Sequence, residues 1–298
     1  MPPFARALDA LHLLALSFFL AVALAAGSGT AVAAYGGLLL ATALLASSVH
    51  GGRAPAPLRS LHIGWTLLAL PVAFTALQWL TPAVATPGRI FDPQLAAMDR
   101  DWFGVDIARW SEGFLTGAIA DPFMLLYFLY FLMPVVAFVW FLRRGDRAFT
   151  YRAAFTIAMG VYACYMLYLL VPATGPRHAY VNLSAPLPEG WITGRIHDHI
   201  RDLEPQPYDA FPSCHVVLGL LCAAACWPLG GWKRWSMVVV GAGTSASTLV
   251  LRYHYLVDDL AGIAIVVLAL GATRFMDARI ARKSADREHD RMGDLLAG

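Results

Sequence analysis

The sequence predicts an all-α polytopic membrane protein, and three observations carry that expectation. Hydrophobic residues make up 58% of the 298-residue chain and charged residues only 14%, about half the charged share of an ordinary soluble domain. The apolar residues gather into eight segments, Ala10–Ala26, Ala31–Ser48, Leu61–Leu80, Pro122–Leu142, Ala153–Val171, Pro212–Leu229, Trp235–Leu251 and Tyr255–Thr273, each near the length that crosses a bilayer. None alternates as a barrel strand would. Backbone in lipid must satisfy its own hydrogen bonds, so each segment is expected to be a helix.

The third observation is the placement of lysine and arginine, which also orients the bundle. Arg143, Arg144, Arg147 and Arg152 crowd one short connection, and Lys233 and Arg234 mark another. Arg53 and Arg59 separate the second and third segments, Arg6 precedes the first, and Arg274 to Arg291 populate the tail. Eight spans put all of these on one side, expected to be cytoplasmic together with both termini. The long connections Thr81–Asp121 and Pro172–Phe211 then face the other side of a plasma or inner membrane. A net charge of +2 says nothing about nucleic acid, but no basic stripe interleaved with aromatics is present, and no nucleic-acid partner is expected.

The remaining segments are read in chain order. Arg6, the apolar run behind it and the small residues Ala23-Leu24-Ala25 could form a cleavable signal, but a second apolar segment follows at once and a retained helix is favoured. In the first long connection, Leu95, Met98, Trp102 and Phe103 recur at helical spacing around Asp99, Arg100 and Asp101. That pattern predicts a short amphipathic helix, lying at the membrane interface or packed on the outer rim. His12, His50 and His62 form no constellation and read as interfacial. His197-Asp198-His199, with Asp202 and Glu204, reads as a solvated polar loop rather than a metal site, since its histidines are two residues apart. Cys164, Cys222 and Cys226 sit in apolar runs and behave as small hydrophobes. Cys214 is weighed as a thiol nucleophile, but nothing marks its acidity as enhanced. The charged tail from Arg279 to Gly298 is expected to fray.

Chemistry is expected where ionisable groups stand at the rim of apolar runs, because such groups are costly to desolvate. Phe211-Pro212-Ser213-Cys214-His215 opens one segment, and Arg252-Tyr253-His254-Tyr255-Leu256-Val257-Asp258 opens another. Pro212 suits a first helical turn, and the N–H groups there, with Ser213, can hold an anion. His254 and Asp258 share a helix face. A carboxylate on one imidazole nitrogen leaves the other nucleophilic, although the same spacing also suits a helix cap. Arg177 and Arg252 present guanidinium forks that match phosphate oxygens, or could anchor the interface by snorkelling. His178 follows Arg177 and stands within reach of whatever binds there. With the topology above, His215, His254, Asp258 and Arg177 all meet at the extracytoplasmic end.

The two segments resemble the second and third signature motifs of the type-2 phosphatidic acid phosphatase superfamily, in the form of its inositol phosphorylceramide synthase-like branch. Val171-Pro172-Ala173-Thr174-Gly175-Pro176-Arg177 resembles that branch's first, phosphate-gripping motif, and the Asp92-to-Gly104 stretch resembles another of its recurring elements. The likeness runs from about Leu61 to Thr273. It implies a six-helix phosphatase core over 53–275, two added N-terminal transmembrane helices in 1–52, and a polar cytoplasmic tail over 276–298. Two departures stand out. Thr248 occupies the place of the superfamily's third-motif arginine, and the lysine-bearing form of the first motif is absent.

By that resemblance, His254 attacks phosphorus and forms a phosphohistidine, Asp258 orients it, and His215 protonates the leaving oxygen and then activates the acceptor. Arg177, Arg252 and Ser213 bind the phosphate, and neither metal nor other cofactor is implied. The expected substrate is a lipid phosphate or phospholipid drawn from the bilayer, with water or a lipid alcohol as acceptor. The alternative is a non-catalytic protein that binds or transports lipid through the same polar rim.

Overall fold

A computed structural model describes residues 2–51, 54–86, 88–179, 187–188, 190–196 and 208–297, without the side chains of 108 and 288–297. Every regular element among the described residues is helical. The N-terminal hairpin pairs α1 (Pro3–Ala25) with α2 (Gly29–His50) and is followed by α3 (Ala56–Leu77). A short turn, α4 (Thr81–Val84), leads to the outer helices α5 (Asp92–Phe103) and α6 (Ile107–Glu112). Then come α7 (Gly117–Leu129), α8 (Met133–Arg144), the central α9 (Arg147–Leu170) and the one-turn α10 (Pro176–Ala179). The chain closes with α11 (Cys214–Cys226), α12 (Gly231–Val250) and α13 (Leu256–Ala297).

All eight predicted segments are helical, with three revisions. The fourth is two helices, α7 and α8, meeting at 45°; Pro134, in the first turn of α8, has no N–H to give a continuous ladder. The last helix does not stop at the tail but runs to Ala297, through a proline-free stretch rich in alanine, arginine and aspartate. Pro212 lies just outside α11, whose N-cap is Ser213. By length and hydropathy five of the described helices can cross a membrane, or six if α7 and α8 form one span. α11 is too short at 13 residues, and α12 is diluted by Lys233, Arg234 and its small polar residues.

α9 is the hub, touching α1, α3, α11 and α13 and burying Thr156, Val161, Cys164 and Tyr168. In α1, Ala5, Leu8, His12, Leu16, Phe19 and Ala23 recur every three or four positions and are all buried, which draws the N-terminal hairpin into the main core. α11 and α12 approach closely where Gly219 faces Gly241: a Cβ on Gly241 would lie 2.7 Å from the Gly219 carbonyl oxygen. Small residues permit such crossings where apolar area alone cannot drive helix association.

The interfacial reading of His12, His50 and His62 is corrected. Asp9 Oδ2 lies 2.6 Å from His50 Nε2 and Asp9 Oδ1 lies 2.9 Å from His62 Nε2. His62 Nδ1 is 2.7 Å from the Tyr151 hydroxyl, and His12 Nδ1 is 2.7 Å from that of Tyr162. A buried carboxylate thus ties α1 to α2, α3 and α9 at one end of the bundle. At the same end Arg152 forks onto Asp277, Nη2 to Oδ2 2.6 Å. Arg143, Arg144, Lys233 and Arg234 sit at helix ends of this pole, and the two sequence motifs occupy the opposite one.

Candidate active site

Four chain segments converge at that opposite pole: the loop after α9, the start of α11, the turn between α12 and α13, and helix α5. His215 lies in the first turn of α11, and its ring is flanked by Tyr127 and Tyr130, with centroids 4.5 and 4.4 Å away. His254 belongs to the tight turn before α13. Its Nδ1 is 2.7 Å from the Ala210 carbonyl oxygen. A carbonyl only accepts, so Nδ1 carries the hydrogen and Nε2 of the neutral ring holds a lone pair. His215 Nδ1 is 3.1 Å from that lone pair, and donates to it.

Asp258 Oδ2 stands 3.5 Å from His254 Nδ1 and accepts the Tyr255 backbone N–H at 2.8 Å. One carboxylate thus both approaches the imidazole and caps the turn, while the Ala210 carbonyl makes the shorter contact to the ring. Asp258 Oδ1 is buried with no hydrogen-bond partner among the described residues. The adjacent Asp259 accepts from the Thr248 hydroxyl at 2.9 Å. Thr248 is fully buried behind the site.

A small cavity opens onto the pair. It is lined by Tyr127, Thr174, Arg177, His178, Asp209, Ala210, His215, Tyr253 and His254. Arg177 places its guanidinium 4.8 Å above the Tyr253 ring, and Tyr253 stacks on Tyr127 at 4.3 Å. His178 is held below its ordinary pKa, first by burial and then by the charge of Arg177, so at neutral pH it presents an uncharged donor and acceptor.

Two of the expected phosphate-binding residues lie off this wall. The Ser213 hydroxyl accepts the Val216 N–H at 3.4 Å and bonds to Asp259, so it closes the first turn of α11 beneath the cavity. Arg252 adopts a left-handed φ of 63°. Its Nε donates to the Ser111 hydroxyl at 2.8 Å, and Nη1 is 3.8 Å from Glu112. That placement joins the α12–α13 turn to α6, and its carbonyl accepts the Arg177 N–H at 2.9 Å. Cys214 is buried and packs toward Cys164 in the core, as a small hydrophobe would. His197, Asp198 and His199 lie outside the described residues; among those described, no cluster of His, Cys, Asp and Glu is arranged to hold a metal.

Sequence reading missed how α5 serves the site. The predicted helix is present, and the face it turns to the protein carries Asp92, Leu95, Ala96 and Asp99, while Trp102 is 64% exposed. Asp92 accepts the N–H groups of Thr174 and Gly175, each at 2.8 Å, and the Tyr255 hydroxyl at 3.1 Å. Asp99 accepts those of Leu256 and Val257 at 2.8 and 2.9 Å. Burial raises the Asp99 carboxyl above its ordinary pKa, and those two amides offset only part of that rise. The signal was present in the sequence as two aspartates seven residues apart, two full helical turns. Tyr127, Tyr130 and the Ala210 carbonyl carried no such signal, since an aromatic in an apolar run reads as core.

The fold is that of a polytopic membrane protein with one polar pole, where a histidine pair and a guanidinium open onto a common cavity. A family model described as the PAP2 superfamily matches residues 93–272, more than half of the chain, and the chain belongs to that superfamily. Its members are phosphatases, which makes this a membrane protein of the phosphoester-hydrolase class. No curated protein and no solved structure matches the chain.

Proposed function

We propose that the protein is a lipid phosphoester enzyme that works through a phosphohistidine on His254 and passes the phosphoryl-containing group to water or to a lipid alcohol, in the manner of an inositol phosphorylceramide synthase. The observation that carries this reading is the 3.1 Å approach of His215 to the lone-pair nitrogen of His254, beside Arg177 in one cavity. At that distance phosphorus has no room between the rings, so a substrate must part them and take the place of the His215 contact.

The lone pair of His254 Nε2 then forms the N–P bond while the P–O bond to the lipid breaks. His215 gives its proton to the departing oxygen and later removes one from the incoming water or alcohol. Asp258 and the Ala210 carbonyl stabilise the positive charge that grows on His254 as it attacks. Arg177 balances charge on the non-bridging oxygens, the main demand of phosphoryl transfer. The mechanism calls on no metal.

The charge of the wall supports a phosphodiester. Arg177 is the one arginine or lysine lining the cavity among the described residues, Arg252 faces Ser111 and Glu112, and Thr248 replaces a third cation. A diester carries one negative charge where a monoester carries about two near neutral pH. The basic pole at the opposite end supports an extracytoplasmic site with both termini in the cytoplasm. The test is to reconstitute the protein in liposomes with labelled lipid monoesters and phosphodiesters, with and without ceramide or diacylglycerol. Diester turnover lost in His254→Ala is expected, and a labelled lipid product appearing only with the alcohol identifies transfer. Turnover unchanged in His254→Ala removes the reading.

A further inference from the structure

Helix α5 crosses no membrane, yet its inner face meets both halves of the site. Asp92, Leu95, Ala96 and Asp99 form one buried stripe, with the carboxylates about 10 Å apart along the axis at the helical rise. The first carboxylate grips the loop that presents Arg177. The second grips the first two residues of α13, which follow His254 and lead into Asp258. Leu256 and Val257 begin a helix, so their N–H groups have no partner within it. Asp99 supplies that partner from another element and sets a negative charge at the helix's positive end. Thr174 and Gly175, in an irregular loop, are likewise satisfied by Asp92. Each aspartate accepts two backbone N–H groups, and charge-assisted bonds of this kind are about twice as strong as neutral ones.

We infer that Asp92 and Asp99 are positioning residues, and that α5 is a rigid brace holding Arg177 at a set distance from His254 and Asp258. The inference rests on the phosphohistidine reading for its catalytic consequence, but not for the brace itself. The loop also touches the turn directly, through Arg177 N–H to the Arg252 carbonyl at 2.9 Å, and the segment before α11, through Ala210 N–H to the Ala173 carbonyl at 3.0 Å. Those bonds join backbone to backbone at single points. The two carboxylates fix both segments to one stiff helix, so the phosphate grip and the nucleophile cannot drift independently.

The experiment uses the full chain in lipid nanodiscs and has two arms. Amide hydrogen exchange is followed across 173–176 and 255–258. Asp92→Asn should speed exchange at Thr174 and Gly175 at least tenfold and leave Leu256 and Val257 within about twofold; Asp99→Asn should do the reverse. Uniform acceleration in both variants, or none, overturns the brace. In the kinetic arm each variant should lower kcat on a phosphodiester about 100-fold, the scale of an ångström misplacement. In an Arg177→Ala background the further loss from Asp92→Asn should shrink below threefold, and in an Asp258→Ala background so should that from Asp99→Asn. Losses that multiply fully in both backgrounds overturn the positioning role, since general damage to the fold would act independently. If Asp92→Asn does not fold, Asp92→Glu and Tyr255→Phe replace it in the same cycle, and Asp99→Glu serves in place of Asp99→Asn. A wild-type protein that turns over no lipid phosphate would refute the functional reading, and the brace would then stand or fall on the exchange data.

Discussion

Gly175→Ala is the substitution whose effect the structure sets most sharply. Gly175 has φ +84°, in the left-handed region, where a side chain costs about 1–2 kcal/mol. A Cβ there would also overlap the backbone carbonyl oxygen of Tyr253, closer than real Cβ contacts occur, and would press on Ala210 Cβ at 3.4 Å. The Tyr253 carbonyl adjoins His254, and Ala210 supplies the oxygen that fixes the tautomer of His254. Relief therefore requires a shift of several tenths of an ångström in the segments that aim the nucleophile. A misplacement of about 1 Å costs roughly 100-fold in rate, or about 2.7 kcal/mol in the barrier. Gly145→Ala is the control: Gly145 has φ +74° with nothing within 4 Å of a Cβ, and it lies at the opposite pole. Both variants should lower the Tm in nanodiscs, but only Gly175→Ala should lower kcat on a phosphodiester by about two orders of magnitude. Gly175→Ala within threefold of wild type, or Gly145→Ala equally impaired, would refute the reasoning.

Other expectations follow from single contacts. Asp9→Ala leaves His50 and His62 without their shared carboxylate and should cost about 3 kcal/mol or more of stability, read as a lower Tm, with kcat retained because the network lies at the far pole. Thr248→Val removes a donor from the buried Asp259 carboxylate and should destabilise by about 1–3 kcal/mol, measured by thermal unfolding in detergent. Arg177→Lys exchanges a planar fork for a point charge and should lower kcat/KM on a phosphodiester at least tenfold, whereas Arg252→Lys should act mainly on stability through Ser111 and Glu112. His178→Gln keeps an uncharged donor and acceptor and should stay within about tenfold of wild type at pH 7; a loss as deep as that of His254→Ala would show that His178 carries a proton in the reaction.

The sequence carried the class of the fold and the identity of the central pair. Hydropathy marked the eight long apolar segments because lipid-facing and core-facing residues are alike apolar, and the same likeness hid which spans break or fall short. Pro134 was visible but could not be told from a tolerated kink. His215 and His254 stood out because an imidazole at the end of an apolar run is expensive. Arg252 and Ser213 stood out for the same reason, yet their side chains turn to Ser111, Glu112, Val216 and Asp259. Residue type states what a group can bind, and only the fold states what it faces. The α5 brace was missed because an aspartate between apolar residues reads as a solvent face, although Asp92 and Asp99 are both nearly fully buried. The Asp9 network escaped because its members lie on four helices, and His12, His50 and His62 read as interfacial when each is taken alone.

The most direct test of the central claim is to trap the intermediate. Wild-type protein in nanodiscs is mixed with a phosphodiester lipid labelled at phosphorus, quenched in alkali within one turnover, and digested for mass spectrometry. The account predicts an acid-labile, alkali-stable adduct on His254 that is lost in His254→Ala. Steady turnover with no label on His254, or label on another residue, would contradict it.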